Sequence, residues 1–269
     1  MLLDLDYQPV QGQVALAGAY QTQPPLPPLN RWVQSYWQLN VAKGQFWYHS
    51  VPDNCVDWII NLDYFEDNFL IPPFLSAALF RLEGPACFFG IRFRILGHHG
   101  LMTTPLGEWG QASDVRAQDL LAKVLVCSVF ESIEQASFDT RCAQLSAVLL
   151  SAIKLTKVDP RLANYIRYCH ANVGANLDLS DKQCAEFGVS ARQLRRLTQQ
   201  HLGLLPKDFA RVLRFQRTLN AMNMQKHNTA YLDYYFDQSH FIREFKRLAG
   251  LTPTQFQKMS VLYNAPMAN

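Results

Sequence analysis

Residues 179–203 read L-S-D-K-Q-C-A-E-F-G-V-S-A-R-Q-L-R-R-L-T-Q-Q-H-L-G, and this stretch decides how the rear half of the chain folds. Ser180 stands three residues before Gln183, and Ser190 stands three residues before Gln193. This is the spacing of a capping box, in which a hydroxyl accepts a hydrogen bond from the first helical turn and the glutamine reaches back. The spacing predicts two short helices that begin at Ser180 and Ser190.

The second of these helices has two distinct faces. Gly188 supplies the backbone freedom of a tight turn before it, so the unit is a helix-turn-helix, whose second helix enters the DNA major groove. Leu194, Leu197 and His201 follow helical spacing and form the predicted inward face. The opposite face consists of Arg192, Arg195, Arg196 and Gln199. Arginine pairs with guanine edges and with phosphate, so the face is either a DNA-reading surface or an ordinary solvated one. The capped turn before it favours DNA.

Charge is divided unevenly along the 269 residues. Residues 1–157 contain 10 Lys and Arg against 14 Asp and Glu, whereas residues 158–269 contain 15 against 8. An apolar content of 49% is that of a globular protein, and the length suits two domains. We therefore predict two domains, 1–157 and 158–269, of which the basic one meets a polyanion.

The cysteine pattern and the hydropathy of the sequence indicate where in the cell the protein is located. None of the six cysteines forms a C-x-x-C pair, and no apolar run reaches the roughly 18 residues that a membrane span requires. The first residues also lack the basic region of a signal peptide. The sequence predicts a cytoplasmic protein with reduced thiols and no contact with a membrane.

The front half has the pattern of a β domain. Aromatic and β-branched runs separated by turn formers predict four strands, at 32–39, 45–49, 55–62 and 88–93. Such strands suggest a β-rich barrel or sandwich. Helical periodicity then predicts helices over 114–134 and 138–155, which form either a dimer interface or a covering layer. The fold class is therefore α+β, with a β-rich domain before an all-α domain.

A long helix is predicted to join two reading helices in the rear half. After a support helix over 160–172, Gly203 ends the first reading helix, 190–201. The long helix over 206–223 spans about 27 Å, close to the roughly 34 Å between successive major grooves on one side of DNA. A second reading helix is predicted over 238–249.

Three motifs give the chain a specific resemblance. They are G-V-S-A-R-Q-L-R-R-L at 188–197, R-F-Q-R at 214–217 and D-Q-S-H-F-I-R-E-F-K-R-L-A-G-L-T-P-T-Q-F at 237–256. Residues 177–257 thereby resemble the DNA-binding domain of the AraC/XylS family of bacterial transcription regulators, which has two helix-turn-helix units joined by one helix. The front half is similar to the variable domain of one branch of that family. The matching segments are S-Y-W at 35–37, P-D-N-C-V-D at 52–57 and G-I-R-F-R at 90–94.

The resemblance implies a sequence-specific transcription regulator whose front domain binds an unknown small effector or pairs subunits. Implied base contacts are Arg192, Arg195, Arg196, Gln238, Ser239 and Arg243. Implied phosphate contacts are Lys207, Arg211, His240 and Lys246. Implied partners are double-stranded DNA, a small-molecule effector, a second copy of the chain and, for an activator, RNA polymerase.

One departure from the family pattern leaves an alternative open. Tyr235 stands where the family has glycine in the turn of its second unit, and residues 225–235 form a shorter segment than the family has. The alternative is a regulator with a degenerate second reading head that acts through protein contacts.

The front half also contains residues that could form a chemical site. The available metal ligands lack the H-x-H spacing of a strand site, so no metal, cofactor or catalytic activity is predicted; they are His49, Asp57, His98, His99 and Glu108. The alternative is a cupin-like small-molecule enzyme. Asp53, Cys55 and Asp57 alternate, so they are predicted to share a face, where they contact a ligand or pair with turn amides. The aromatic residues fill a core or line an effector cavity; they are Trp37, Trp47, Trp58 and Phe93.

Overall fold

The computed structural model describes residue 3 and residues 5–102, 104–109, 114–134, 137–174, 177–224 and 230–263. The front half is a β domain with helices after it, and the rear half is helical, which confirms the predicted fold class. The strands are β1 Tyr20–Gln23, β2 Val33–Ser50, β3 Val56–Asn61, β4 Asn68–Ile71, β5 Ala78–Phe93, β6 Val115–Arg116 and β7 Leu262–Tyr263. They form one antiparallel sheet in the order β1-β2-β5-β3-β4-β6, and β7 pairs with β2.

One long strand replaces two of the predicted strands. Residues 32–39 and 45–49 were expected to be separate, but β2 runs through both and pairs with β5 on either side of a register shift between Val41 and Gly44. The sequence between them resembles a turn because it contains a glycine, which can adopt positive φ angles. In the structure Gly44 does so, with a φ of 128°. That conformation places an irregularity inside the strand instead of ending it. Strands β1, β4 and β7 are short and were not predicted.

The front helices also differ from the prediction. The expected helix over 114–134 is divided into β6, α1 Ala117–Leu120 and α2 Lys123–Ile133. The next helix, α3 Phe138–Ala152, ends three residues earlier than predicted. Helices α2 and α3 belong to the same buried cluster as the inner sheet residues Trp58, Phe89 and Ile91. They therefore act as a covering layer for the sheet.

The rear half follows the predicted order closely. Its helices are α4 Pro160–Ala171, α5 Asp181–Glu186, α6 Ala191–Leu202, α7 Pro206–Met224, α8 Gln238–Ala249 and α9 Pro253–Lys258. A 3₁₀ helix, Ala230–Tyr234, precedes α8, and residues 225–229 of the predicted shortened segment lie outside the described ranges.

Segments from both ends of the chain cross between the two halves. Near the C-terminus, Val261 donates its amide to the Gln13 carbonyl at 2.8 Å and accepts from the His49 amide at 2.8 Å. Near the N-terminus, the Gln8 carbonyl accepts from Asn220 Nδ2 at 2.7 Å. The division at residue 157 stays a prediction, but the two halves are packed together through these segments.

Candidate DNA-binding surface and ligand cavity

The two helices of the first helix-turn-helix begin at the predicted N-caps, Ser180 and Ser190. Ser190 Oγ accepts from the Gln193 amide at 3.2 Å while Gln193 Oε1 accepts from the Ser190 amide at 3.0 Å, which completes the capping box. At Ser180 only half of the box forms: its hydroxyl accepts from the Gln183 amide at 3.4 Å, but Gln183 Oε1 accepts from the Leu179 amide instead. Leu179 adopts a φ of 52°, so the backbone before the cap departs from the ordinary extended entry to a helix.

The glycines at the turns adopt left-handed backbone angles. Gly188 has a φ of 79° between α5 and α6, and Gly203 has a φ of 68° at the end of α6. A residue with a side chain is strained at these angles. Gly188 therefore forms the turn before α6, and Gly203 ends that helix.

Helix α6 presents its arginines to solvent. Leu194 and Leu197 are buried, as predicted, and His201 is half-buried. The four residues of the opposite face, Arg192, Arg195, Arg196 and Gln199, are exposed. Within the described part of the chain, no salt bridge or side-chain hydrogen bond engages the three guanidinium groups. They are free to meet an external anion.

Helix α8 presents a second exposed face. Asp237 Oδ1 accepts a hydrogen bond from the His240 amide at 2.6 Å and so caps the N-terminus of the helix. Aspartate is a favoured N-cap residue, so the sequence alone contains this signal. Gln238, Ser239 and Arg243 are exposed, while Phe241 is buried. The predicted phosphate ligand His240 is half-buried, and its Nδ1 accepts from the Phe236 amide at 3.2 Å. Its Nε2 is the ring nitrogen left for an external group.

Tyr235, the departure from the family pattern, fills the core of the second unit. It is buried, its hydroxyl lies 3.0 Å from Thr218 Oγ1, and its ring centroid lies 5.2 Å from that of Phe241. The Arg214 guanidinium also lies over the ring, 5.2 Å from its centroid. Tyr235 thus connects α7 to α8, and the described turn is formed without a glycine.

The basic residues of α7 have two different environments. Lys207 is exposed, and no ion pair engages it within the described ranges. Arg211, by contrast, lies 2.6 Å from Asp208 and 3.1 Å from Glu244 of α8. Glu244 also lies 3.7 Å from Arg214. Of the predicted phosphate contacts, Lys207 and the exposed Lys246 are available, whereas Arg211 already holds the two helices together.

The β domain touches the C-terminal end of α6. A short 3₁₀ helix, Leu106–Glu108, packs there so closely that a Cβ added to Gly107 would lie 2.8 Å from the Gln199 carbonyl oxygen. The rings of His99 and His201 lie 5.2 Å apart at the same contact. The arginines occupy the first two turns of α6 and the contact is at its last turn, so both surfaces coexist.

A cavity of about 360 Å³ lies in the β domain on the sheet face that includes Trp37, Leu39 and Ile59. Its apolar wall consists of Tyr20, Trp37, Leu39, Tyr48, Ile59, Phe69, Ile71, Phe74, Phe80, Leu82 and Phe88. Trp37 lies directly over Gly90, where any Cβ would overlap the indole ring. Of the predicted core aromatics, Trp58 and Phe93 are buried in the core, whereas Trp37 lines the cavity.

The deep wall of the cavity contains a buried ion group. Arg92 donates through Nε and Nη2 to Asp57 at 3.1 Å, and its Nη2 lies 3.3 Å from Asp53 Oδ2. Trp37 Nε1 donates to the same Asp57 carboxylate at 3.1 Å. Three segments that resemble the family's variable domain therefore meet here, and the pairing of Arg92 with the two aspartates was not predicted.

The predicted shared face of Asp53, Cys55 and Asp57 is wrong for the cysteine. Asp53 and Asp57 line the cavity, but Cys55 is buried in the cluster that contains Leu162 and Phe209 of the rear half. The reason is that β3 begins only at Val56, so strand alternation does not apply before it. Asp53 Oδ1 does accept the Cys55 amide at 3.0 Å, as predicted for a turn carboxylate.

Burial controls the protonation of this group. Burial raises the pKa of the Asp53 carboxyl above its ordinary value; the charge of Arg92 lowers it and that of Asp57 raises it further. Burial opposes the charge on Arg92, yet the two carboxylates raise the pKa of its guanidinium. The guanidinium of Arg92 therefore stays charged beside Asp53 and Asp57.

The loop between β2 and β3, residues 51–55, connects the cavity to α7. Gln216 of α7 donates through Nε2 to the Pro52 carbonyl at 2.7 Å, and its Oε1 accepts from the Val10 amide at 2.8 Å. Asn54 Nδ2 donates to the Phe209 carbonyl at 3.0 Å. Since Asp53 lies between these two residues and also contacts Arg92, the cavity wall and the long helix share one short loop.

Among the described residues, no group of three or more His, Cys, Asp or Glu could hold a metal ion. No helix there is long and apolar enough to cross a membrane.

Comparison with known proteins identifies both halves as known domains. A helix-turn-helix domain matches residues 183–259, and a domain of unknown function, DUF6597, matches residues 21–113. None of the curated proteins matches the sequence.

Among solved structures, the chain is similar to ToxT from Vibrio cholerae. One ToxT structure has 11% identity and a TM-score of 0.41, covering 89% of this chain and 98% of ToxT. An apo ToxT variant has 10% identity and a TM-score of 0.44, covering 97% and 100%. An unsaturated fatty acid bound ToxT has 12% identity and a TM-score of 0.40, covering 90% and 94%.

Proposed function

We propose that the chain is a DNA-binding transcription regulator of the AraC type and that α6 and α8 read two successive major-groove segments. We further propose that a small ligand in the cavity of the β domain controls this binding. The family is one of regulators, which points away from an enzyme.

The observation that carries the proposal is the pair of exposed polar faces on α6 and α8. Base contacts are assigned to Arg192, Arg195, Arg196, Gln238, Ser239 and Arg243. Helix α7 has 19 residues and spans about 28 Å, which suits reading heads about one DNA turn apart. Glu244 and its arginines fix α8 against α7, so the spacing between the heads is rigid.

Phosphate contacts are assigned chiefly to the exposed cations Lys207 and Lys246. His240 can contribute through Nε2, because its Nδ1 is already bonded. Arg211 reaches phosphate only if it exchanges one of its carboxylate partners, so its main role is to position α8. A second copy of the chain and RNA polymerase remain proposed partners.

Control by a ligand is supported by the loop 51–55. A ligand that alters the bonds of Asp53 changes the position of a loop whose neighbouring residues, Pro52 and Asn54, are bonded to α7. Since α7 joins both reading heads, a small displacement of this loop shifts α7, and with it both heads as one unit, relative to the β domain. The cavity therefore has a direct physical route to the DNA surface.

The test is selection of a binding site from random duplexes, followed by fluorescence anisotropy with the full chain. Each of Arg192→Ala, Arg195→Ala and Arg196→Ala is expected to weaken the selected site by about 1–3 kcal/mol. The matched control, Lys123→Ala, removes an exposed cation from α2 and should leave affinity unchanged. Failure to select any site, with wild-type DNA affinity in the three arginine variants, would refute the proposal.

A further inference from the structure

We propose that the cavity of the β domain takes a small ligand with one cationic head and an apolar body, such as an arylalkyl or alkyl ammonium. The inference rests on the proposed function for its regulatory meaning, but the binding itself is independent of DNA.

The size and walls of the cavity define the body of the ligand. A volume of about 360 Å³ lies at the lower end of the roughly 300–1,000 Å³ of small-molecule sites, so the ligand is small. Seven of its lining residues are aromatic. Aromatic faces favour apolar bodies and attract cations placed over them.

The charges of the lining define the head of the ligand. The lining contains four aspartates, Asp53, Asp57, Asp67 and Asp114, against two arginines, Arg81 and Arg92. In the deep wall, one guanidinium is shared by two carboxylates, so one negative charge is left uncompensated when both are ionised. A cationic head restores neutrality there, and burial makes that compensation stronger than it is in water.

The same geometry disfavours an anion. The Nε and Nη2 groups of Arg92 are already bonded to Asp57, and Nη2 also lies 3.3 Å from Asp53. A ligand carboxylate would place a third negative charge beside the two that are already there. Arg92, Asp53 and Asp57 should therefore distinguish between ligands that have the same shape but different charges.

The experiment compares three probes that share one body: phenylpropylamine, phenylpropanol and phenylpropionate. Calorimetry and thermal shift are measured with the full chain. The amine is expected to bind at least about tenfold tighter than the alcohol, and the carboxylate more weakly than either. Equal binding of the amine and the alcohol, tighter binding of the carboxylate, or no binding of the amine would each overturn the inference.

Two variants locate the head group. Asp53→Asn is expected to weaken the amine about tenfold while leaving the alcohol unchanged. Because a buried substitution can impair folding, the exposed Asp67→Asn is a second test and should weaken the amine by a smaller factor. Arg81→Gln removes an exposed cation and serves as the opposite control, since it should not weaken the amine.

DNA anisotropy separates this inference from the proposed function. If the amine binds and DNA affinity is unchanged, the proposed ligand class is correct, but the proposed control of DNA binding through the cavity is wrong. If the carboxylate binds instead and DNA affinity changes, the proposed control is correct, but the proposed ligand class is wrong.

Discussion

His99 of the β domain and His201 of helix α6 lie with their ring centroids 5.2 Å apart, at the contact between the two halves. His98, whose two ring nitrogens have no hydrogen-bond partner among the described residues, lies 4.4 Å from His99 between ring centroids. Burial and the neighbouring His201 lower the pKa of His99 from 6.5 to about 4. Burial also lowers the pKa of His201, which Asp159 raises and Arg196 lowers. The contact is therefore made by neutral histidines.

Acid is expected to weaken this contact. The unfolded chain takes up histidine protons near pH 6.5, whereas His99 in the folded chain takes one up only near pH 4. The stabilisation is complete above about pH 6.5 and falls as pH drops towards 4. Allowing for the partial exposure of its ring, the protonation of His99 alone should lower the free energy of unfolding by about 1 kcal/mol, which corresponds to about 2–4 °C in Tm.

Thermal melting at about pH 7.5 and about pH 5 checks this, with His99→Gln as the comparison. In the variant, the difference in Tm between the two pH values should be smaller than in the wild type. Asp159 does not confuse the result, because its pKa is lowered to about 2, chiefly by its hydrogen bond from Arg161, so it titrates below the window. An unchanged pH difference in the variant would show that His99 is not the titrating group.

Lys207 and Arg192 should have different signatures in DNA binding. Lys207→Ala removes a proposed phosphate contact, so affinity should fall similarly for all sequences and the salt slope should drop by about 1. Arg192→Ala should instead relax the preference at one base pair. Anisotropy across a salt series, with single-base variants of the selected site, distinguishes the two. Identical profiles for both variants would contradict the assigned roles.

Glu244 should be required for the fixed arrangement of α7 and α8. Its carboxylate is only 16% exposed and lies near Arg211, Arg214 and Arg247. Glu244→Gln should lower the free energy of unfolding by about 1–3 kcal/mol, because it leaves the half-buried Arg214 without a carboxylate partner in the described part of the chain and Arg211 with only Asp208. It should also weaken a site with two half-sites more than a single half-site. Denaturant unfolding measures the first effect, and Glu131→Gln on the exposed side of α2 is the control.

Gln216 should be necessary for communication between the cavity and the DNA surface. Gln216→Leu leaves the Pro52 carbonyl and the Val10 amide without partners, so stability should fall by about 1–3 kcal/mol. More specifically, phenylpropylamine should still bind but should no longer alter DNA affinity. Asn220→Ala is the matched control, since Asn220 is also on α7 but bonds to Gln8 instead of the loop. Equal uncoupling by both variants would mean that the N-terminal segment, not the loop, transmits the signal.

Gly90 should be intolerant of a side chain. A methyl group there overlaps the indole of Trp37, so Gly90→Ala must displace the ring from the cavity wall. We expect a loss of about 1–3 kcal/mol in stability and weaker amine binding. Thermal melting and calorimetry measure the two effects. Unchanged amine affinity would show that Trp37 does not contribute to binding the amine.

The two halves were predictable to different degrees, as particular residues show. Ser190, Gln193 and Gly188 interact within a few positions of one another, so their spacing was enough to predict the capped turn. Residues 41–44 were misread because the local signal of a turn is the same whether a strand ends or only contains an irregularity. The pairing of β2 with β5 on both sides of Gly44 decides between these outcomes, and that pairing is not visible locally.

The sequence alone determined the caps, the turn glycines and the polar face of α6, because each depends on contacts along one short segment. Only the tertiary structure decided that Arg92 lies between Asp53 and Asp57, that the loop 51–55 contacts α7 and that Leu106–Glu108 reaches α6. These contacts join residues far apart in the chain, whose meeting depends on how the sheet and helices pack. The exposed polar face of α6 is thus a local property of the sequence, whereas the link between the cavity and α7 arises from packing.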